Sequence, residues 1–179
     1  KPTNVDTNSR ILCYDIRDLG KQLLPVGMLV VLDSVFNRII RNRRLGRSTW
    51  VYIDEIYLLF QHEYSANFLF TLWKRVRKYG ACCTGLTQNV DDLLQSHTAR
   101  TMLANSEFLV MLNQASTDRA ELARLLNISD NQLSYITNVD FGRGLIKCGS
   151  AIVPFMDHFP KNNLYRLMST KPSEADAAV

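Results

Sequence analysis

The chain has 179 residues, enough for one domain that buries roughly 70% of its unfolded surface, and its hydrophobic (46%) and charged (21%) fractions are those of an ordinary globular protein. Its formal charge of +4 permits a polyanionic partner without indicating one. No apolar run approaches the roughly 20 residues of a membrane span, and no secretion signal is recognisable. Because the first residue is Lys1 rather than Met, we expect the sequence to be a piece of a longer protein.

Strand-like apolar runs alternate with helical stripes along the chain, which predicts an α/β fold with a mainly parallel sheet and flanking helices. A polar lead-in (1–9) and a disordered tail (173–179) flank one domain at 10–172. The predicted elements are, in order, a strand at 11–16 that contains Asp15, a helix at 27–44, a strand at 51–56, a helix at 65–79, a strand at 81–87, a helical stretch at 91–105, a strand at 107–112, a helix at 118–126, a short capped helix after Ser129, and an antiparallel hairpin that turns at Gly149 and Ser150.

The most informative stretch is the strand at 51–56, where β-prone apolar residues end in two adjacent acids, Asp54 and Glu55. The carboxyl end of a buried parallel strand is where open α/β sheets place ligand chemistry. In a nucleotide hydrolase the first acid would hold Mg²⁺ through its water shell, and the second would orient or deprotonate the attacking water. The alternative interpretation is a strand that ends in a solvated acidic turn.

Two further predicted strands also end in polar residues, Gln88-Asn89 and Asn113-Gln114. Parallel strands would bring all three ends together along one edge of the sheet, which favours the catalytic interpretation of the acid pair. The cysteines lack the spacing of a zinc site and are interpreted as buried free thiols of a reducing compartment; they are Cys13, Cys82, Cys83 and Cys148.

Five segments, taken in chain order, are similar to the C-terminal ATPase domain of the large conjugative-transfer ATPases of type IV secretion systems: 49–55, 73–80, 84–90, 103–108 and 144–155. The similarity extends from about residue 10 to 172. It implies a RecA-like P-loop NTPase core of the branch that includes FtsK and HerA, with ATP and Mg²⁺ as cofactors. The nearest variety is that of Gram-positive integrative conjugative elements.

The resemblance also implies roles for single residues. Asp54 would be the Walker B aspartate that holds the metal, Glu55 the catalytic glutamate, and Gln88 the polar residue that senses the γ-phosphate. Arginine fingers of this branch act across a subunit boundary. Arg119 resembles such a finger and is the first choice, and Arg143, directly before the segment that starts at Gly144, is the second.

One element of the family is missing from these residues: no G-x-x-x-x-G-K-[ST] motif occurs, and Gly20-Lys21 is only a partial match. We therefore expect the chain to be the second half of an ATPase core, which binds ATP poorly and does not hydrolyse it alone. The missing strand is central in RecA-like sheets, so its loss would expose strand edges that invite self-association or strand exchange. The resemblance implies that the assembly is a dimer or a hexamer.

Partners implied by the resemblance are other channel components of a conjugation or secretion system, at the cytoplasmic face of the membrane, with DNA as a further open possibility and membrane association through those partners. Two alternatives remain. One is an Mg²⁺-dependent nuclease that gathers Asp15, Asp54 and Glu55, and the other is a non-catalytic interaction module.

The sequence contains two basic runs, the arginines between 38 and 47 and the lysines and arginines between 74 and 78. The first interpretation is a solvated face whose cations complement helix ends, and the second is contact with a neighbouring subunit or with phosphates. No aromatic residues alternate with the cations in the way that stacks single-stranded bases, so DNA binding is not indicated.

Overall fold

The computed structural model describes residues 6–16, 18–20, 22–88, 90–114 and 116–169. The chain divides into two compact units, a first unit at residues 1–103 and a second unit at residues 104–179. Most of the predicted lead-in and the whole of the predicted tail at 173–179 lie outside the described residues. Of the helices in the described ranges, none combines the length and the apolar character that a membrane crossing requires.

The described part of the first unit contains four α-helices and one pair of strands. Its elements are, in chain order, α1 (Leu24–Arg44), β1 (Thr49–Ile53), a 3-10 helix (Ile56–Phe60), α2 (Glu63–Arg75), a second 3-10 helix (Val76–Tyr79), β2 (Ala81–Gly85), α3 (Val90–Gln95) and α4 (His97–Ala104).

A single apolar core holds the first unit together. α1 begins with Pro25 in its first turn, where the missing N–H of proline is harmless, and buries Leu32 and Ile39 at helical spacing. Leu69 and Leu72 of α2 pack into the same core and are almost completely buried. β1 and β2 pair in parallel, in register from Thr49 opposite Ala81 to Ile53 opposite Gly85.

The second unit is built on a three-stranded antiparallel sheet in the order β3-β4-β5. Its elements are β3 (Phe108–Met111), α5 (Ser116–Leu126), α6 (Asp130–Leu133), a 3-10 helix (Ser134–Ile136), β4 (Arg143–Cys148), β5 (Ala151–Met156) and α7 (Asn163–Met168). Ile136 and Leu145 are fully buried. Ser129 and Gln132 form the predicted capping box at the start of α6.

The predicted fold class is confirmed: the chain has a parallel strand pair, flanking helices and a C-terminal antiparallel hairpin, β4–β5. One detail differs, because β3 was expected to lie parallel with the first strands and instead pairs antiparallel with β4. The hairpin offers β3 a free edge that needs no crossover helix, and a short apolar run carries no mark of strand direction.

Several predicted elements begin or end at other residues in the structure, such as the strand predicted at 51–56, which ends at Ile53, and two differ in kind or number. Residues 11–16 do not form a strand; they are held to α1 by side chains, with the Tyr14 hydroxyl 2.8 Å from the Ser34 hydroxyl. The helical stretch at 91–105 is two helices, α3 and α4, divided at Ser96. The Ser96 hydroxyl accepts a hydrogen bond from Ala99 N–H at 3.3 Å, as the N-cap of a new helix does.

Candidate active site

The acid pair lies directly after β1, in a turn between the strand and the first 3-10 helix. Asp54 Oδ1 accepts a hydrogen bond from the Glu55 backbone N–H at 3.0 Å. Glu55 has φ 46° and ψ 48°, the left-handed conformation that residues other than glycine and asparagine seldom adopt. The chain therefore turns sharply at Glu55, and this turn ends the strand.

β2 holds that turn from the neighbouring strand position. Leu86, just after β2, donates its N–H to the Ile53 carbonyl at 2.8 Å and accepts the Ile56 N–H at 2.9 Å. One residue of the second strand thus clasps the backbone on both sides of Asp54 and Glu55.

Gly85 allows this close approach. A Cβ atom built on Gly85 would lie 2.5 Å from Ile56 Cδ1 and 3.3 Å from Ile56 Cγ2. Gln88 follows Leu86 by two residues and is exposed to solvent. The ends of β1 and β2, with Asp54, Glu55 and Gln88, therefore meet at one edge of the parallel pair, as the sequence predicts. Asn89 lies outside the described residues.

The two acids differ in their surroundings. Asp54 is exposed, and its second carboxylate oxygen is open to solvent-borne ligands. Glu55 is partly buried, and its Oε2 atom is inaccessible to water and has no hydrogen-bond partner among the described residues. An unpaired buried acceptor costs free energy, on the order of 1–3 kcal/mol. Glu55 thus combines an unfilled acceptor with a strained backbone, a combination that is typical of functional positions.

The residues at this edge fit half of a magnesium-nucleotide site. An exposed aspartate carboxylate suits the water shell of Mg²⁺, and a glutamate with an unfilled acceptor suits a water molecule. The phosphate-binding half does not fit, since a nest of backbone N–H groups in a glycine-rich loop is not encoded in the 179 residues. Lys21, of the partial match Gly20-Lys21, lies outside the described residues.

The nuclease arrangement is wrong. Asp15, Asp54 and Glu55 are all described, and no group of three or more acidic, histidine or cysteine side chains able to hold a metal occurs in the described ranges. Asp15 lies in the irregular segment beside Tyr14, which packs toward α1 and does not form the predicted strand at 11–16.

The third polar strand end, Asn113-Gln114, belongs to the second unit and follows a strand of the antiparallel sheet. The Gln114 side-chain amide donates to the Leu112 carbonyl at 3.1 Å and to the Asn113 carbonyl at 3.3 Å. Asn113 Oδ1 accepts from the Val139 N–H at 3.4 Å. These polar groups thus have local partners, unlike the Oε2 atom of Glu55 in the first unit.

Both candidate finger arginines belong to the second unit. Arg119 lies in the first half of α5 and is partly buried. Arg143 opens β4 with its side chain 45% exposed, and its guanidinium is 3.8 Å from the Asp140 carboxylate. Arg143 is therefore already paired within its own unit, although weakly.

The prediction that the cysteines are buried is wrong for three of them: Cys13, Cys82 and Cys148 are exposed, and all four are free thiols. The alternation of β2 points Cys82 to the open face and Cys83 to the core. Burial, together with the neighbouring Cys82, raises the pKa of the Cys83 thiol to about 12, so this thiol stays protonated and unreactive.

Sequence reasoning missed the left-handed turn at Glu55 and the clasp by Leu86. The one available signal was Gly85, because a glycine at a strand end often marks a close approach of two backbones. Its partner, Ile56, is visible only once the two strands are paired.

Both the sequence and the fold match known proteins. Residues 4–143 match the TraG P-loop domain family. Among solved structures, the chain resembles VirB4 of Thermoanaerobacter pseudethanolicus, with a TM-score of 0.78 and 27% sequence identity over 89% of this chain. The match spans 44% of that VirB4 chain, less than half of its length. No curated protein matches the sequence. Because the family match covers most of its length, the chain belongs to the TraG P-loop domain family.

Proposed function

We propose that this chain supplies the metal-holding and water-activating half of the ATPase site of a conjugative-transfer or type IV secretion motor. The observation that carries the proposal is the clasped turn at Asp54 and Glu55, in which a strained glutamate keeps an unfilled acceptor at the end of two parallel strands. Membership of a P-loop family and the likeness to VirB4 support the same assignment.

Each residue at this edge has a distinct task in the proposal. When bound, Mg²⁺ and ATP supply the metal charge and the phosphoryl group to be transferred. The second carboxylate oxygen of Asp54 would accept hydrogen bonds from the water shell of the metal. Glu55 would accept a proton of the attacking water at its carboxylate and would orient the oxygen of that water, and the Gln88 amide would donate to the γ-phosphate.

The strained turn has a use in this scheme. If Glu55 continued β1 in an extended conformation, its carboxylate would point to the face of the sheet that the strand alternation sets. The left-handed backbone at Glu55, fixed on both sides by Leu86, holds the carboxylate in one place before substrate arrives. Such preorganisation lowers the reorganisation needed at the moment of reaction.

The second unit supplies an arginine finger in the proposal, across a subunit boundary. Arg119 is the first candidate and Arg143 the second, since Arg143 is paired with Asp140. A positive charge from a neighbouring subunit stabilises charge that develops on the transferred phosphoryl group. Hydrolysis would then require assembly, as a dimer or a hexamer.

The phosphate-binding loop is proposed to come from a segment of a longer protein that precedes Lys1. The isolated chain is accordingly expected to bind ATP poorly and not to hydrolyse it. One observation suggests where the missing segment packs. Trp50 and Tyr52 on one face of β1 are 65% and 66% exposed, whereas parallel sheets are normally covered on both faces. The same open face and strand edges support self-association.

Cellular partners follow from the same proposal. The motor would work at the cytoplasmic face of the membrane, attached to other channel components of the conjugation or secretion system. Substrate transfer and channel assembly are both compatible uses of such a motor, and DNA is one candidate cargo.

The test uses a longer protein that includes the upstream phosphate-binding loop. We expect it to hydrolyse ATP with Mg²⁺, and we expect Glu55→Gln to lower kcat by about 100-fold or more while the Kd for ATP changes little. Glu63→Gln is the matched control, because Glu63 is an exposed carboxylate eight residues further along the same unit. Steady-state turnover and fluorescent-nucleotide binding measure the two quantities.

Two outcomes would contradict the proposal. If the longer protein assembles but never turns over ATP, the chain is part of a non-catalytic interaction module. If Glu63→Gln lowers kcat as much as Glu55→Gln does, the acid pair has no special role.

A further inference from the structure

The charge of this protein is divided unevenly between its two units. The first unit contains fourteen lysines and arginines against nine acids, whereas the second contains seven against eight. No acid occurs between Asp33 and Asp54, or between Glu63 and Asp91. The positive charge of the chain is therefore concentrated in two segments of the first unit.

These two segments lie next to each other. The first comprises the last turn of α1 and the loop that leads into β1, and the second comprises the end of α2 and the Val76–Tyr79 helix that leads into β2. The Arg43 guanidinium donates to the Lys78 carbonyl and lies 6.0 Å from the centre of the Tyr79 ring. Together they form what we call the basic pole, with eight exposed cations: Arg41, Arg43, Arg44, Arg47, Lys74, Arg75, Arg77 and Lys78.

The basic pole lies at the amino ends of β1 and β2, and the acid pair lies at their carboxyl ends. Five residues of strand separate the two, about 16 Å. The pole is thus remote from the catalytic edge, so its charge is not explained by nucleotide chemistry.

The cations of the pole are not neutralised within the described ranges. Their contacts there are to neutral groups: Arg41 donates to Asn8 Oδ1 at 3.0 Å, and the Lys74 ammonium lies 4.0 Å from the centre of the Phe70 ring. Cations in a last helical turn do complement the helix dipole, but Arg47 lies beyond α1 and cannot serve that purpose. The helix dipoles thus account for the placement of seven of the eight cations, which lie in last helical turns, and not for Arg47.

Apolar surface lies between the cations. A recess of about 570 Å³ is lined by Ile40 and Leu45 together with Asn37, Arg41 and Arg44. Leu45 is 56% exposed. A surface that joins several cations to an exposed apolar recess offers sites for both the head groups and the upper acyl chains of lipids.

We propose that the basic pole binds directly to an anionic lipid surface. Clusters of four to eight lysines and arginines attract anionic leaflets, and Leu45 adds apolar contact at the interface. Bound in this way, the first unit would direct the ends of β1 and β2 that contain Asp54 and Gln88 away from the membrane.

A lipid surface fits the pole better than nucleic acid does. Single-stranded nucleic acids bind by stacking their bases on exposed aromatic rings. The rings that lie against the cations are engaged with the protein itself: Tyr79 packs edge-on against Phe36 at 5.6 Å and lies beneath Arg43, and Phe70 lies beneath Lys74. The exposed Trp50, three residues after Arg47, lies on the face of β1 that the proposed function assigns to the missing segment. The exposed aliphatic side chain of Leu45 at the recess would gain nothing from contact with phosphate groups alone.

The experiment is sedimentation of the protein with vesicles of phosphatidylcholine, with and without about 30% phosphatidylglycerol. We expect binding only to the anionic vesicles, and weaker binding as NaCl rises from about 0.05 to 0.5 M. The double variant Arg44→Glu/Arg77→Glu should lower the partition coefficient about 30-fold or more. Arg44 lines the recess and both arginines lie in last helical turns, but within the described residues neither side chain forms a hydrogen bond or an ion pair that the substitutions would break.

The matched control is Arg124→Glu/Arg166→Glu, which makes the same charge change at exposed arginines in the last turns of α5 and α7. It reproduces the loss of a helix-end cation, so it should lower stability similarly while changing vesicle binding less than about threefold. Equal losses in both variants, or no preference for anionic vesicles, would overturn the proposal. Tighter binding to an oligonucleotide at the same salt, lost in the first variant alone, would assign the pole to nucleic acid instead.

Discussion

The two units handle the left-handed backbone differently. Among the described residues, the second unit has two non-glycine residues with positive φ, Asn127 at 56° and Asn138 at 51°, and the first unit has one, Glu55 at 46°. Asparagine adopts this conformation at little cost because its short polar side chain bonds locally, whereas glutamate does not. The second unit therefore uses a residue suited to the turn, and the first accepts strain to place a carboxylate.

The strand ends show the same contrast. After β3 the polar side chains of Asn113 and Gln114 are used in local hydrogen bonds that finish the structure. After β1 the carboxylate of Glu55 is left with an unfilled acceptor. The comparison teaches that polarity at a strand end is not by itself a sign of chemistry, and that an unmet hydrogen-bonding need is the better sign.

The largest expected effect tests whether the second unit has any catalytic role at all. In the longer protein that contains the phosphate-binding loop, Arg119→Ala should lower kcat by about 10³-fold, because an arginine finger stabilises transition-state charge. Arg143→Ala should lower it much less, since this exposed side chain is already paired with Asp140. Steady-state ATP turnover of the assembled protein measures both.

Mixed assemblies give the control for this prediction. Subunits with Arg119→Ala, mixed with subunits with Glu55→Gln, should regain part of the activity, because some interfaces then combine an intact finger with an intact acid. Arg124→Ala, on the exposed side of α5, should leave kcat unchanged. A larger loss from Arg143→Ala would make the second candidate the finger.

Part of this site could be predicted from sequence because the physical rule is local. An apolar run that ends in Asp54-Glu55, followed by a second run that ends near Gln88, identifies two parallel strand ends without any knowledge of packing. The left-handed turn could not be predicted, since nothing in the neighbourhood of Glu55 indicates positive φ. The direction of β3 was equally hidden, because it depends on the free edge of a hairpin nearly 40 residues later.

Glycine-to-alanine substitutions should affect the free energy of unfolding and kcat differently in the two units. Gly144→Ala should destabilise the second unit by about 3 kcal/mol, since its Cβ would meet the Met111 backbone carbonyl and the Phe155 ring at 2.8 Å. Gly85→Ala should lower stability by about 1 kcal/mol, because the end of the Ile56 side chain can rotate away. Urea denaturation measures the free energy of unfolding in each variant.

Catalysis should show the opposite order. Gly85→Ala displaces Ile56, the neighbour of Glu55, so it should lower kcat of the longer protein about tenfold at a temperature where the protein stays folded. Gly144→Ala should leave kcat of the folded fraction within about twofold. Gly20→Ala is the control for both measurements, since nothing lies within 4 Å of its Cβ position. Equal loss of kcat in Gly85→Ala and Gly144→Ala would remove the distinction between the two units.

The smallest effect concerns the strain itself. Glu55→Gly should raise the free energy of unfolding by about 1 kcal/mol, because glycine adopts positive φ freely and the unpaired carboxylate oxygen is gone, while the greater freedom of glycine in the unfolded chain offsets part of the gain. Asn127→Gly and Asn138→Gly should change it by less than about 0.5 kcal/mol, since asparagine is already tolerated there. Urea denaturation of the three variants side by side gives the comparison. A gain at the asparagines equal to that at Glu55, or a loss at Glu55, would mean that the turn after β1 is not strained and that its glutamate needs no functional explanation.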